Sequence, residues 1–233
     1  MRGQLKLIAL AALIISPFQT FAQKDFGLWT GVDVRYKASK KLDFGLQLES
    51  RFKSNVSEVD QTFLSPYARY DLHKNIRVGA DYRLSNRSES GMFGEYFTHR
   101  MTMDLEFKDL IKSFVDRLDL DTRIRYTHAT RGTGELNNDN LRFRVKLSYN
   151  LPKTKLTPHI ASELFYHFND QIVYTPTEVR TVHRINKYRL RAGLSYPLNK
   201  QHELSLFYMV EPEIEGPDTD YILSVGYSLK LGK

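Results

Sequence analysis

From Leu42 to Phe52 the chain reads Leu-Asp-Phe-Gly-Leu-Gln-Leu-Glu-Ser-Arg-Phe, with apolar residues on one phase and mostly charged or polar ones on the other. A period of two belongs to a strand whose two faces meet different surroundings, because successive side chains point to opposite sides. The pattern recurs at Leu28–Tyr36, Leu64–Leu72, Ile76–Leu84, Met101–Phe107, Leu118–Tyr126, Leu141–Tyr149, Leu156–Tyr166, Tyr188–Tyr196, Leu204–Val210 and Tyr221–Leu231. With residues 42–52 this makes eleven candidate strands, each roughly 10 to 14 residues long once the residues flanking these alternating cores are included. Strands of ordinary globular proteins average about 5 to 6 residues, whereas tilted strands that cross a bilayer need about 9 to 11.

The connections alternate as well. Short ones fall at Ala38–Lys40, His73–Asn75, Pro152–Thr154 and Pro197–Lys200. Long polar ones fall at 54–61, 85–94, 130–140, 169–183 and 211–220, and an intermediate one, 108–113, occupies a short slot. Short turns on one side and long loops on the other are the pattern of outer-membrane barrels. Tyrosines near strand ends suit the aromatic girdles of such a wall. The expected fold is therefore all-β: a transmembrane antiparallel up-and-down β-barrel of 10–12 strands. Even-stranded barrels keep both chain ends on the short-turn side. Eleven strands break that rule, which calls for a further strand within Gln171–Arg184 or a first strand that is no ordinary stave.

A mean hydropathy of -0.44 excludes a helical multispan protein. The absence of cysteine excludes a disulfide scaffold, a thiol enzyme and a cysteine-based zinc module. Arg2 and Lys6, the apolar run Leu7–Ile15 and Thr20-Phe21-Ala22 form a secretory signal over residues 1–22, leaving 23–233 as one barrel domain. The net charge of +7 then needs a source other than nucleic acid, which an exported chain rarely meets.

That source is the polar phase of the strands. Arg35, Asp43, Glu49, Arg51, Arg69, Asp71, Arg77, Asp81, Arg83, Arg100, Asp104, Arg123, Arg125, Arg142, Arg144, Glu163, Arg189 and Arg191 form a candidate charge network lining the lumen. Centring the short turns puts Arg35 opposite Asp43, Asp71 opposite Arg77, Tyr67 opposite Asp81 and Arg142 near Glu163. Opposed residues have Cβ atoms about 4.5 to 5.5 Å apart, so such pairs can meet. A barrel this narrow, filled by arginines, is expected to conduct poorly. Trp29 falls on the inward phase, as a packed lumen residue or a girdle aromatic and not a ligand platform.

Catalytic and metal sites are not expected. His99 and His128 lie on the apolar phase, yet the 108–113 turn puts His99 opposite about Thr122, several residues from His128. Neither a Gly-x-Ser-x-Gly elbow nor a His-Glu-x-x-His helix is present. The acidic stretch Glu211, Glu213, Glu215, Asp218 and Asp220 lacks calcium-loop spacing and reads as a solvated loop. No cofactor is implied.

Leu28-Trp29-Thr30, Leu48-Glu49-Ser50-Arg51-Phe52 with Asp60-Gln61, Tyr82-Arg83-Leu84, His99-Arg100, Arg142-Phe143-Arg144 and Glu163-Leu164-Phe165 together resemble a Bacteroidetes outer-membrane β-barrel family of unknown function (domain-of-unknown-function family 2490). The resemblance covers the mature chain. It departs at Leu229–Lys233, which lacks the terminal aromatic residue usual in outer-membrane barrels. It implies a fold and an address, the bacterial outer membrane, but no catalytic residues. The expected partners are outer-membrane lipid, lipopolysaccharide and, during biogenesis, the barrel-assembly machinery. The expected role is an envelope barrel with a charge-filled lumen. The alternatives are a small-solute channel, a lipid-modifying enzyme and a soluble periplasmic ligand-binding barrel.

Overall fold

The computed structural model describes residues 26–88, 95–112, 115–131, 138–175, 178–212, 214 and 219–232; the expected signal segment lies outside them. Eleven strands follow in order: β1 Phe26–Lys37, β2 Leu42–Lys53, β3 Glu58–His73, β4 Ile76–Ser88, β5 Glu95–Phe107, β6 Leu118–Arg131, β7 Asn138–Tyr149, β8 Thr157–Thr175, β9 Glu178–Pro197, β10 His202–Pro212 and β11 Thr219–Leu231. Each pairs with its chain neighbours, and β1 closes the barrel against β11.

The strand count dictates the closure. Strands that reverse at every turn leave the first and the eleventh running the same way, so β1 and β11 pair in parallel, from Phe26 opposite Tyr221 to Tyr36 opposite Leu231. Every other pair is antiparallel. No twelfth strand lies within Gln171–Arg184. Those residues extend β8 and β9, which pair as far as Thr175 opposite Glu178. The long loop expected at 169–183 is thus mostly ladder.

The apolar phase faces outward. Met103, Met101 and Ile160 are 68%, 62% and 59% exposed, in company with Leu48, Phe143, Leu190 and Val225. Tyr36, Tyr70, Tyr149 and Tyr196 ring the short-turn end, and Tyr82, Tyr126, Tyr166 and Tyr221 the other. Contiguous apolar surface on this scale marks contact with a partner or a membrane. The buried apolar residues Phe63, Phe165, Met209 and Ile222 all sit on the opposite phase. The core of this molecule is its lumen.

Turn geometry sets the registers. At 38–41 the Ala38 amide donates to the Leu42 carbonyl at 2.9 Å, and Ser39 Oγ accepts from the Lys41 and Leu42 amides. That bond pairs Lys37 with Asp43 and leaves Arg35 opposite Gly45, so the expected Arg35–Asp43 pairing does not form. Between β7 and β8 the Leu151 amide donates to the Leu156 carbonyl. Arg144, not Arg142, therefore stands opposite Glu163, and Arg142 faces Phe165. The compact turn after His73 behaves as expected, with Asp71 opposite Arg77 and Tyr67 opposite Asp81. The β5–β6 connection runs from Lys108 to Arg117 and contains a backbone turn closed by Val115 N to Ile111 O. It pairs His99 with Thr130 and Met101 with His128, correcting the Thr122 expectation.

Candidate functional site: the lumen plug

Gly45 shows how the interior is filled. A Cβ there would lie 2.2 Å from the Tyr67 ring, so only glycine admits Tyr67 flat against β2. The Tyr67 hydroxyl then donates to Asp33 of β1 at 3.1 Å, passing over a whole strand.

Many ion pairs do the same. Arg77 of β4 bonds Asp71 at 2.8 Å and reaches Asp43 of β2 at 3.9 Å. Arg125 of β6 grips Asp104 through two bonds of 2.6 Å and reaches Asp81 of β4 at 3.7 Å. Arg144 reaches Glu106 of β5 at 4.0 Å. Arg51 and Glu49 pair within β2 at 2.7 Å. Paired guanidinium N–H groups match carboxylate geometry and give short, strong bonds. Bonds that skip a strand tie together strands that share no backbone ladder.

The densest knot surrounds Glu163, which is 2% exposed. It accepts from Arg123 at 3.0 Å and Arg189 at 3.1 Å, with Arg191 at 3.9 Å. Arg189 also bonds Glu211, which accepts from Lys187 at 2.8 Å. Glu211 is thus a buried residue of β10, not part of a solvated loop. Its phase, shared with Met209, was the available signal. Glu213, Glu215 and Asp218 lie outside the described residues, among which no cluster fit for a metal ion occurs.

Aromatic rings complete the plug. Arg51 stacks 3.7 Å from the Trp29 ring centre and 5.2 Å from that of Phe63, while Arg83 lies 3.5 Å from the Phe63 ring centre. Arg189 approaches Trp29 at 5.7 Å and Phe165 at 4.8 Å, and Arg142 lies 4.7 Å from Phe165. Trp29 and Arg189 stand on β1 and β9, so this chain of contacts crosses the barrel. Desolvated cation–π contacts contribute about 2 kcal/mol or more each. Phe63, Phe165 and Met209 face the lumen yet are only 1%, 2% and 0% exposed, so no water-sized space remains beside them.

Below the plug, at the short-turn mouth, lies a cavity of about 700 Å³ lined by Arg35, Lys37, Asp43, Asp71, Arg77 and Lys230 among others. Five of the eighteen expected network residues touch no carboxylate among the described residues: Arg35, Arg69, Arg83, Arg100 and Arg142. Arg69 stacks on Tyr67 at 4.3 Å, and Arg142 donates to Asn140.

On the outer wall His128 bonds Asp139 at 2.6 Å, and the Tyr126 hydroxyl donates to the same oxygen at 2.9 Å. His99 shares a hydrogen bond with the Tyr82 hydroxyl at 2.6 Å. These polar tips stand on the apolar phase near the long-loop rim, the position of an interface girdle.

The family model for a protein of unknown function, DUF2490, matches residues 26–213. The chain belongs to the DUF2490 family. No curated protein matches it. Among solved structures, this DUF2490 chain is similar to one from work on the in-meso crystallization of membrane proteins, at 13% identity and a TM-score of 0.41, covering 84% of this chain and 78% of that one. It is also similar to the outer-membrane expressed OmpT of Vibrio cholerae, at 7% identity and a TM-score of 0.39, over 74% and 54% of the two chains. An anion-selective porin from Comamonas acidovorans follows at 11% identity and a TM-score of 0.35, over 82% and 52%. The chain spans about half the length of the latter two.

Proposed function

We propose that this DUF2490 chain is an outer-membrane barrel with a sealed lumen and a structural role in the envelope. The observation that carries the reading is the burial of Phe63, Phe165 and Met209 on the lumen phase, the packing expected of a lumen filled by its arginine–aromatic plug. The outer belt of Met101, Met103, Leu48 and Ile160 suits lipid tails, with girdle tyrosines at the headgroup level. A soluble ligand-binding barrel carries its apolar residues inside, the inverse of this arrangement. Insertion by the barrel-assembly machinery and contact with lipopolysaccharide follow from that address. No catalytic role is assigned, since the His128–Asp139 pair bonds a phenol rather than a serine.

The test is conductance of the refolded barrel in planar bilayers, with heat-modifiable gel mobility as the folding control. Folded wild type passes no steady current, and Phe63→Ala with Met209→Ala opens a measurable one. Steady unitary conductance in the wild type overturns the sealed-lumen reading. It would favour the second one, a small-solute channel, for which the 700 Å³ cationic cavity at the short-turn mouth is the supporting observation.

A further inference from the structure

Arg83 and Arg100 face each other directly across the β4–β5 pair, both on the lumen phase. Like charges in opposed positions repel, and burial removes the water that would screen them. Arg83 is 8% exposed, its Nε atom has no hydrogen-bond partner, and its close contact is the Phe63 ring. Arg100 has a buried Nε without a partner and makes no hydrogen bond or ion pair among the described residues. The charges that act on it most strongly are those of Arg83, Arg51, Arg87 and Arg125. Arg51 and Arg87 already serve Glu49 and Asp60, and Arg125 serves Asp104.

Neutral groups left without partners gather on the same side. Ser85 follows Arg83 on the lumen phase of β4, and its buried hydroxyl is unbonded. Gln61 of β3 stands opposite Arg87, and both its amide atoms lack partners. Thr127 of β6 stands opposite Thr102, the lumen residue next after Arg100, and its hydroxyl is likewise unbonded. Buried polar groups and buried charges normally have partners, because leaving them bare is costly. Here the bare atoms are donors or hydroxyls apart from the Gln61 carbonyl oxygen, and no carboxylate in contact answers the two arginines.

We propose that Arg83 and Arg100 form a lumen site for a tetrahedral oxyanion of the phosphate class, either free phosphate or a phosphate monoester. Two guanidinium forks match adjacent edges of such an anion, and each fork can bind two of its oxygens. Its double charge offsets the two arginines. A chloride ion would satisfy neither the forks nor the number of donors.

The test is equilibrium dialysis of the folded, detergent-solubilised barrel against labelled inorganic phosphate at constant ionic strength. The expected result is saturable binding that sulfate displaces and an equal concentration of chloride does not. Displacement by glycerol phosphate assigns the site to monoesters; its failure, with sulfate still effective, assigns it to the free anion. Arg100→Met and Arg83→Gln each weaken phosphate binding by at least about tenfold, the effect of losing one charge-assisted bond. Lys146→Gln, which removes a lumen cation from β7, leaves binding unchanged. If one arginine variant loses its heat-modifiable mobility, the other carries the test. Absence of saturable binding by folded wild type, unchanged affinity in the folded arginine variants, or displacement by chloride as effective as by sulfate overturns the proposal. Binding is read by dialysis and sealing by conductance, so either reading can fail alone.

Discussion

On the β8–β10 side of the lumen, Glu163 and Glu211 take up the charges of Arg123, Lys187 and Arg189. On the β4–β5 side, Arg83 meets Arg100 with no carboxylate in contact among the described residues. Both sides are buried, both are arginine-rich and both sit against a phenylalanine, Phe165 on one and Phe63 on the other. The difference is that Arg123, Lys187 and Arg189 each touch a carboxylate of the chain, whereas Arg83 and Arg100 touch none among the described residues. A buried charge network stabilises only where every member has its counter-charge. The paired side acts as structure, and the unpaired side is where a ligand has work to do.

The largest effect should come from breaking the paired side. Glu163→Gln leaves Arg123 and Arg189 in a dry interior without their shared carboxylate, and the expected loss is about 3 to 5 kcal/mol. Urea unfolding of the refolded barrel in detergent measures it. A loss no larger than that of an exposed pair would erase the distinction between the two sides.

The comparison also assumes that both sides face the lumen. Leu48 and Gln47 are neighbours on β2 with opposite phases, Leu48 beside Val32 and Leu64 on the outer wall and Gln47 bonded to Glu49 inside. Leu48→Arg puts a cation against hydrocarbon and should cost about 2 to 4 kcal/mol near the midplane. Gln47→Arg should be tolerated. Equal loss of folded, heat-modifiable barrel in liposomes would mean that the phases are misassigned.

These phases were legible in the sequence; the pairing across the lumen was not. Period-two alternation located all eleven strands, and the compact turn after His73 gave Asp71–Arg77 correctly. Elsewhere a single backbone bond at the turn, Ala38 to Leu42 or Leu151 to Leu156, slid the partner by two residues. A two-residue slide keeps every side chain on its face, so the lumen set survived while Arg35–Asp43 and Arg142–Glu163 did not. Pairs such as Arg123–Glu163 or Arg77–Asp43 skip a strand, and no hairpin arithmetic reaches them. Phe63 and Phe165 were not read as lumen residues, because rings on the polar phase look like errors in the pattern until arginines are seen stacked on them. The parallel seam followed from the count of eleven, once no further strand was found to absorb it.

A smaller effect calibrates the first. Lys112 pairs with Asp109 and Asp119, each at 3.4 Å, and is 58% exposed at the short-turn end. The two carboxylates, Asp109 foremost, raise the pKa of its ammonium above the usual lysine range. In water such pairs contribute about 0 to 1 kcal/mol. Lys112→Ala should therefore shift the urea midpoint barely at all. A shift rivalling that of Glu163→Gln would show that burial is not what gives the lumen pairs their strength.

The smallest loss, and the one that separates the two sides by sign, is expected at Arg100. Removing one member of a paired buried network leaves its partner stranded, but Arg100 has no such partner among the described residues. The charges that act on it most strongly are those of arginines, so its removal relieves repulsion on Arg83 at the expense of some packing along its stem. In buffer free of phosphate and sulfate, Arg100→Met should unfold at the wild-type urea concentration or above it, since neutral packing residues of similar volume often match or exceed buried ions in stability. Adding phosphate should then stabilise the wild type and not the variant, as expected when an anion binds only the folded state. A large destabilisation in anion-free buffer would mean that Arg100 makes its favourable contacts within the chain, and the two sides of the lumen would then differ in degree only.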